Sequence, residues 1–275
     1  MRSQSPSLKQ LLIDISMKSI ITIILAFCVT AATAQDLTVE QIISKANTAY
    51  RYLGDDVKST AHMDIRDGSG RTIMERDLII LRKNTGGLQQ KWYAYFQKPA
   101  DIKRMVFMAV KNEGKDDDRW LYLPALDLVK RLSGSDKRSS FAGSQFAYED
   151  VTGRSPSADT HELMGQDADS YHIKSTPKDA GSVEFSHYEI WIDKVTFLPT
   201  KTILYDKSAA PYKQYEMLEW KEVQGYPTII KFSMTNLQNG ESTIATMSDV
   251  EYNLGLPDRI FTEASLRRAP RKYLR

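Results

Sequence analysis

Hydrophobic and polar positions along this chain of 275 residues follow two periods, and the shorter one dominates. Near the start, Val39, Ile42, Ile43, Ala46, Tyr50 and Leu53 recur at helical spacing, which gathers them on one face. Thr38 stands where an N-cap belongs, Gln41 completes a capping box three residues later, and Gly54 supplies a stop. One amphipathic helix is therefore predicted, and it needs an apolar surface to cover. From Val57 onwards the period is two. Val57, Ser59, Ala61, Met63 and Ile65 alternate with Lys58, Thr60, His62, Asp64 and Arg66. Such alternation turns one face of a strand to a core and the other to water. Asp67 to Gly70 forms a turn, and 71–83 is the return strand. After a second turn at 84–87, the segment 88–97 brings Trp92, Tyr93, Tyr95 and Phe96, and 104–110 brings Met105, Val106, Phe107 and Met108. Further strands are expected at 170–176, 183–193, 200–206 and 212–220. Ile230, Phe232 and Met234 alternate with Lys231, Ser233 and Thr235, and Asn239-Gly240 is a hairpin turn leading into 242–252. That makes roughly a dozen strands at hairpin spacing. Long helices do not alternate with them, which argues against a parallel α/β fold. No internal repeat supports a propeller or solenoid. The chain closes with Phe261-Thr262 and a basic tail, 267–275, expected to be a solvated terminus rather than a docking element.

One stretch, 116–156, breaks the meander. It opens with two short apolar runs, Trp120 to Leu123 and Leu126 to Val129, split by Pro124. A basic, polar segment follows from Lys130 to Gly143. Then comes Phe141-Ala142-Gly143-Ser144-Gln145-Phe146-Ala147-Tyr148-Glu149-Asp150, where large aromatics stand beside Gly and Ser without alternation. A mobile aromatic flap and a buried loop both fit this pattern.

A dozen antiparallel strands curl, and a barrel of that size encloses more volume than its own side chains fill. The filler is a helix, a loop or a ligand; the N-terminal helix and Phe141 to Asp150 are the segments available, as fillers or as lids. Methionine suits a cavity of variable content. Beyond Met17 it occurs at 63, 74, 105, 108, 164, 217, 234 and 247, while aromatics cluster at 92–96, 107, 120–122, 141–148 and 185–191. Any one of these reads first as core; the set, flanking glycine-bearing loops, points to a lined cavity.

The first residues change the setting. Lys18, the apolar run from Ile20 to Val29 and Ala32-Thr33-Ala34 before Gln35 form a secretory leader, expected to span residues 1–34, with Met17 as an alternative start. The apolar run is short for a membrane span, so removal is expected rather than anchoring. Cys28, the only cysteine, follows Phe27 inside that run, where a lipidation site wants a small residue. The chain beyond residue 34 then has no cysteine, which suits an oxidising compartment and excludes thiol catalysis, disulfides and cysteine metal sites there. Loss of Arg2, Lys9, Lys18 and Asp14 brings the formal charge of +2 to zero. That balance speaks against nucleic-acid binding and against charge-driven attachment to a membrane surface.

No catalytic constellation emerges. His62, His161, His172 and His187 form no HxH or HExxH pair. No GxSxG elbow and no phosphate-cradling glycine motif is present. Asp116-Asp117-Asp118 could hold a divalent cation but reads first as a solvated turn, and Glu149-Asp150 read as capping or salt-bridging acids. No metal and no cofactor is expected, and the chain is not expected to be an enzyme.

Several motifs, in order, resemble a known family. WLYLPAL at 120–126, a basic connection and FAGSQFAYED at 141–150 are followed by Asp193-Lys194-Val195-Thr196-Phe197-Leu198-Pro199 with Lys201-Thr202, by Tyr205-Asp206-Lys207-Ser208 and by Leu256-Pro257-Asp258-Arg259-Ile260-Phe261-Thr262. Together they resemble the outer-membrane lipoprotein-sorting protein family, relatives of the periplasmic lipoprotein carrier LolA. The resemblance implies a mainly β fold: an unclosed antiparallel β-barrel, a curved meander sheet covered by an N-terminal α-helix and a central helix or loop lid, in one domain over 35–275. It implies an apolar interior for acyl chains, with no nucleic acid. Its expected partners are a lipid or acylated lipoprotein cargo, an inner-membrane transporter and an outer-membrane acceptor. The expected protein is a periplasmic monomer. The residues expected at the cavity or lid are Trp92, Tyr95, Met105, Phe107, Trp120, Tyr122, Phe141, Phe146, Tyr148, Trp191, Phe232 and Met234. The family also implies an arginine that holds the lid shut, and the sequence does not choose among Arg82, Arg104, Arg119 and Arg131. The central insertion is long for that carrier, so another envelope lipid fits the residues as well as a lipoprotein does. The competing readings are an outer-membrane β-barrel, an envelope hydrolase acting on a lipid or glycan, and a scaffold.

Overall fold

The alternation written into the strands becomes one open sheet. The computed structural model describes residues 37–275; the leader expected at 1–34, with Cys28, lies outside the described residues. Thirteen strands pair in the order β6-β5-β4-β3-β2-β1-β13-β12-β11-β10-β9-β8-β7. They are β1 (Asp56–Arg66), β2 (Thr72–Gly86), β3 (Gln89–Lys98), β4 (Val106–Lys111), β5 (Asp118–Leu123), β6 (Leu128–Leu132), β7 (Asp159–Gln166), β8 (Ser170–Pro177), β9 (Phe185–Asp193), β10 (Pro199–Asp206), β11 (Pro211–Val223), β12 (Tyr226–Asn236) and β13 (Ser242–Tyr252). Every pairing is antiparallel, and β1 at the centre pairs with both β2 and β13. The chain therefore runs from the middle of the sheet out to one edge, β6, and resumes at the other edge, β7. The segment between those edges, 133–158, is the connection that crosses from one to the other.

The helix forms as its capping box directs. In α1 (Val39–Asn47), the Gln41 amide donates to Thr38 Oγ1 (3.3 Å) and the Thr38 amide donates to Gln41 Oε1 (2.9 Å). The helix buries Ile42, Ile43 and Ala46, then widens into a π-turn over Thr48–Tyr52.

The sheet has two apolar faces over β2–β5. On one, Leu78, Ala94, Phe96, Phe107 and Ala109 join Ala61, Met63, Met234 and Ala245 under the central segment. On the other, Ile79, Leu81, Tyr93, Val106, Met108 and Tyr122 meet Leu256, Ile260, Phe261 and Leu266. The C-terminal segment, with α3 (Glu263–Arg267), is thus a strap over the outer face. The basic tail that follows keeps Arg267, Arg268, Arg271, Lys272 and Arg275 exposed, as a solvated terminus would, while Tyr273 and Leu274 pack partly against the same layer.

Two other differences have physical causes. The sequence reading passed over β7, because this edge strand is exposed along much of both faces and its residues do not alternate. An outer-membrane barrel would need its edges to pair, whereas here β6 and β7 are free ends of one open sheet. No helix among the described residues is long and apolar enough to cross a membrane.

Candidate functional site

The concave face, α1 with its π-turn, and the central segment enclose a cavity of about 360 Å³. That lies within the roughly 300–1,000 Å³ of small-molecule sites. The sheet contributes Ala61 and Met63 from β1, Leu78 and Ile80 from β2, Tyr215 from β11, Phe232 and Met234 from β12, and Ala245 and Met247 from β13. The helix side contributes Ile43, Ala46 and Tyr50, and the central segment Phe141, Phe146 and Val151.

Of the twelve residues expected at the cavity or lid, Trp92, Phe141, Phe146, Phe232 and Met234 line it. Met105, Phe107 and Tyr148 lie behind that wall, packed in the core on the same side. Tyr95, Trp120 and Tyr122 point the opposite way, into the layer under the C-terminal strap. Trp191 stacks on His172 with ring centroids 4.3 Å apart and Lys201 over its ring, away from the cavity. The cause is period two: neighbours such as Trp92 and Tyr93 face opposite sides, and since both faces are apolar, hydrophobicity alone does not say which is concave. The sequence reading missed Ala61 and Ala245. Alanine is poor in strands, so its use at inward positions of two adjacent central strands is the signal that space is left there; Ala61 pairs with Met247 and Ala245 with Met63.

The central segment is a buried plug. Phe141 packs against Phe96 (centroids 5.6 Å), Phe107 (5.7 Å) and Tyr148 (5.5 Å). Phe146 meets Phe232 edge-on at 5.5 Å. The loop is tied by Ser144, whose hydroxyl donates to the Phe141 carbonyl (2.7 Å). It leads into α2 (Tyr148–Thr152), where Asp150 caps the first turn by accepting from the Ala147 amide (2.8 Å).

Cations hold the plug in place. Arg51, from the π-turn, donates to the carbonyls of Asp150 and Val151 (3.0 Å each) at the C-terminal end of α2, where the helix dipole favours positive charge. Lys111 donates to the Gly153 carbonyl (2.6 Å). Arg82, on β2, donates to the carbonyls of Arg51 and Leu53. Of the four candidate arginines, Arg82 is the one that grips the helical cover. Gly153 ends α2 at φ +87°, and a Cβ there would lie 2.5 Å from Arg51 Cδ. Gly153→Ala is expected to displace Arg51 and cost about 1–3 kcal/mol through backbone strain alone. A thermal melt checks this, and an unchanged midpoint contradicts it.

A second seam is acidic. Arg138 bridges Asp150 (2.6 Å), Glu149 (3.4 Å) and Glu184 (2.9 Å), and Arg154 pairs with Asp159 (2.8 Å) and Glu149 (3.4 Å). Burial pushes the Glu184 carboxyl up, but the Arg138 hydrogen bond and charge outweigh it and hold the group below its ordinary value. A lowered carboxyl contributes stability above its unfolded value and loses it as pH falls through the folded one. The central segment should accordingly loosen below about pH 4. Hydrogen exchange over 134–152 at acid and neutral pH reads this, and equal protection at both would count against it.

Asp117 pairs with Arg119 (2.7 Å), Asp118 with Arg131 and Asp116 with Lys137 (3.9 Å), so each of the three consecutive acids has a cationic partner. Among the described residues, no group of three or more His, Cys, Asp or Glu could hold a metal ion.

A family model described as "-like: Uncharacterized protein" matches residues 88–268. The chain belongs to this family, and its structural neighbours are outer membrane lipoprotein-sorting and LolA superfamily proteins. A putative outer membrane lipoprotein-sorting protein domain from Vibrio parahaemolyticus is 27% identical, with 82% of this chain and 97% of that one covered and a TM-score of 0.76. A DUF1329 family protein from Desulfovibrio piger is 26% identical, covering 83% and 98%, with a TM-score of 0.75. A LolA superfamily protein from Nitrosomonas europaea shares the fold at 20% identity, covering 83% and 99%, with a TM-score of 0.63. No curated protein matches the chain. The unclosed sheet covered by a helix and a central lid is the architecture the family resemblance implied.

Proposed function

We propose that this LolA-like protein is a periplasmic carrier that holds the acyl chains of a lipid or lipoprotein in its concave cavity and ferries them between the inner and outer membranes. The observation that carries this reading is the apolar cavity between the concave sheet and two covers held by arginine-to-carbonyl bonds. Burying an acyl CH₂ yields about 0.8 kcal/mol, so one chain of ordinary length contributes on the order of 10 kcal/mol before entropy losses. That is enough to keep a lipid from water while leaving release possible. Bonds from a cation to backbone carbonyls suit the release step, because they can break without stranding a buried carboxylate. Arg82 fills the lid-holding role the family implies, and Arg51 passes the grip on to α2. The leader at 1–34 takes the protein to the periplasm, where a membrane transporter loads it and an outer-membrane acceptor unloads it.

The acids at the cavity favour binding over hydrolysis. Glu149 and Asp150, in the cavity wall, are held by Arg138, so each is committed to an ion pair. The test is titration with a fluorescent fatty acid. The wild type should bind saturably, and Ala245→Trp, which fills the cavity from the sheet side, should weaken binding at least about tenfold, the loss of about 1.4 kcal/mol, with an unchanged circular-dichroism spectrum. An absence of saturable binding by the wild type would sink the carrier reading and favour a scaffold.

A further inference from the structure

Beside the cavity, where Arg82 and Arg51 line its wall, the concave face gathers more buried cations than carboxylates paired with them. Arg82, Trp92, Ala109 and Arg119 form one cross-strand row on the concave face, with Gln90 and Lys111 paired in the next. Arg82 is 5% exposed, Lys111 6% and Arg119 2%, and Arg51 lies over them from the π-turn. Among the described residues, the only carboxylate within ion-pair distance of any of these four cations is that of Asp117, shared by Arg119 (2.7 Å) and Lys111 (3.8 Å). Of the other buried acids nearby, Asp56 accepts from the amides of Leu254 (2.7 Å) and Leu256 (2.6 Å), and Glu149 is held by Arg138 and Arg154 (3.4 Å each). Buried charges are ordinarily paired, and here Arg82 has only neutral carbonyls.

Two donors at the cavity wall are also unfilled. Among the described residues, Arg82 Nε and the Tyr215 hydroxyl are buried without a hydrogen-bond partner, and both residues line the cavity. Arg51 connects the two regions: its guanidinium stacks on the Tyr50 ring (4.4 Å), and that ring lies beside Tyr215 (centroids 6.2 Å). A buried donor left unmade costs about 1–3 kcal/mol, so an apolar chain alone leaves these donors unsatisfied.

We propose that the cavity end walled by Arg82, Arg51 and Tyr215 receives the anionic head of the acyl ligand, a carboxylate or a phosphate. This rests on the carrier reading and gives it a ligand class: an acidic lipid rather than a neutral one. Arginine matches both heads through paired, charge-assisted N–H donors that are roughly twice as strong as neutral hydrogen bonds. The head would therefore compete for Arg82 with the Arg51 and Leu53 carbonyls, which couples loading to loosening of the helical cover.

Calorimetric binding of palmitate against hexadecanol, and of dipalmitoyl phosphatidic acid against dipalmitoylglycerol, tests this on the full chain. The wild type should prefer the acid in at least one pair by tenfold or more, and the pair that shows it identifies carboxylate or phosphate. Arg82→Gln should bring that ratio close to one. A role in holding the cover alone would weaken both members together and leave the ratio unchanged. Should Arg82→Gln fail to fold, Tyr215→Phe, which removes one hydroxyl, should still lower the ratio severalfold. Equal affinity of acid and neutral ligand in both pairs overturns the inference and leaves the carrier reading standing. Binding of none of the four overturns both.

Discussion

Removal of residues 256–275 is expected to give a protein that aggregates instead of folding. Leu256, Ile260, Phe261 and Leu266 are at most 5% exposed, and full burial of each contributes about 1.5–3 kcal/mol. Together that is roughly 6–12 kcal/mol, the size of an entire folding stability. Polar ties add to it. The Tyr93 hydroxyl donates to the Ser265 carbonyl (2.8 Å) deep in the layer, and Asp56 holds the start of the strap through its two amide contacts. Without the strap, Ile79, Leu81, Val106 and Met108 would form a bare apolar face, which drives association. Soluble yield and a cooperative melt of the truncated chain measure this. A soluble truncation with a wild-type melt would show that the outer face needs no cover.

Phe141→Ala is expected to cost about 3–5 kcal/mol, the range for emptying a buried aromatic site. Phe141 is 2% exposed and touches three other rings, and the surrounding strands are too constrained by their ladders to collapse into the gap. For a chain of this size each kcal/mol lowers the melting midpoint by about 2–4 °C, so a fall of roughly 6–20 °C is expected. The result separates the two readings of the central segment. A plug that completes the core gives the large fall. A flap that only visits the cavity would lose less than about 1 kcal/mol, with the change confined to acyl binding.

What the sequence made legible follows from how local each signal is. The helix start was readable because Thr38 and Gln41 lie three residues apart and bond each other. The hairpins were readable because alternation and turn residues are local as well. The concave side was not, since it depends on which face the C-terminal strap covers some 150 residues further on, and the strap's apolar residues show no period of their own. Trp92 and Tyr93 illustrate this: adjacent and equally apolar, they serve opposite layers. The Arg82 contacts were equally hidden, because carbonyl oxygens, the partners of Arg82, leave no mark in a sequence. The small inward residues Ala61 and Ala245 were visible and went unread, since space is inferred from what a strand lacks.

The proposed carrier holds an acyl chain in its concave cavity. Native mass spectrometry with lipid extraction, on protein purified from the periplasm without detergent, tests it most directly. A stoichiometric lipid or acylated peptide, lost from Ala245→Trp, is the expected result. A clean ligand-free mass for the wild type, with no fatty acid taken up afterwards, would contradict it.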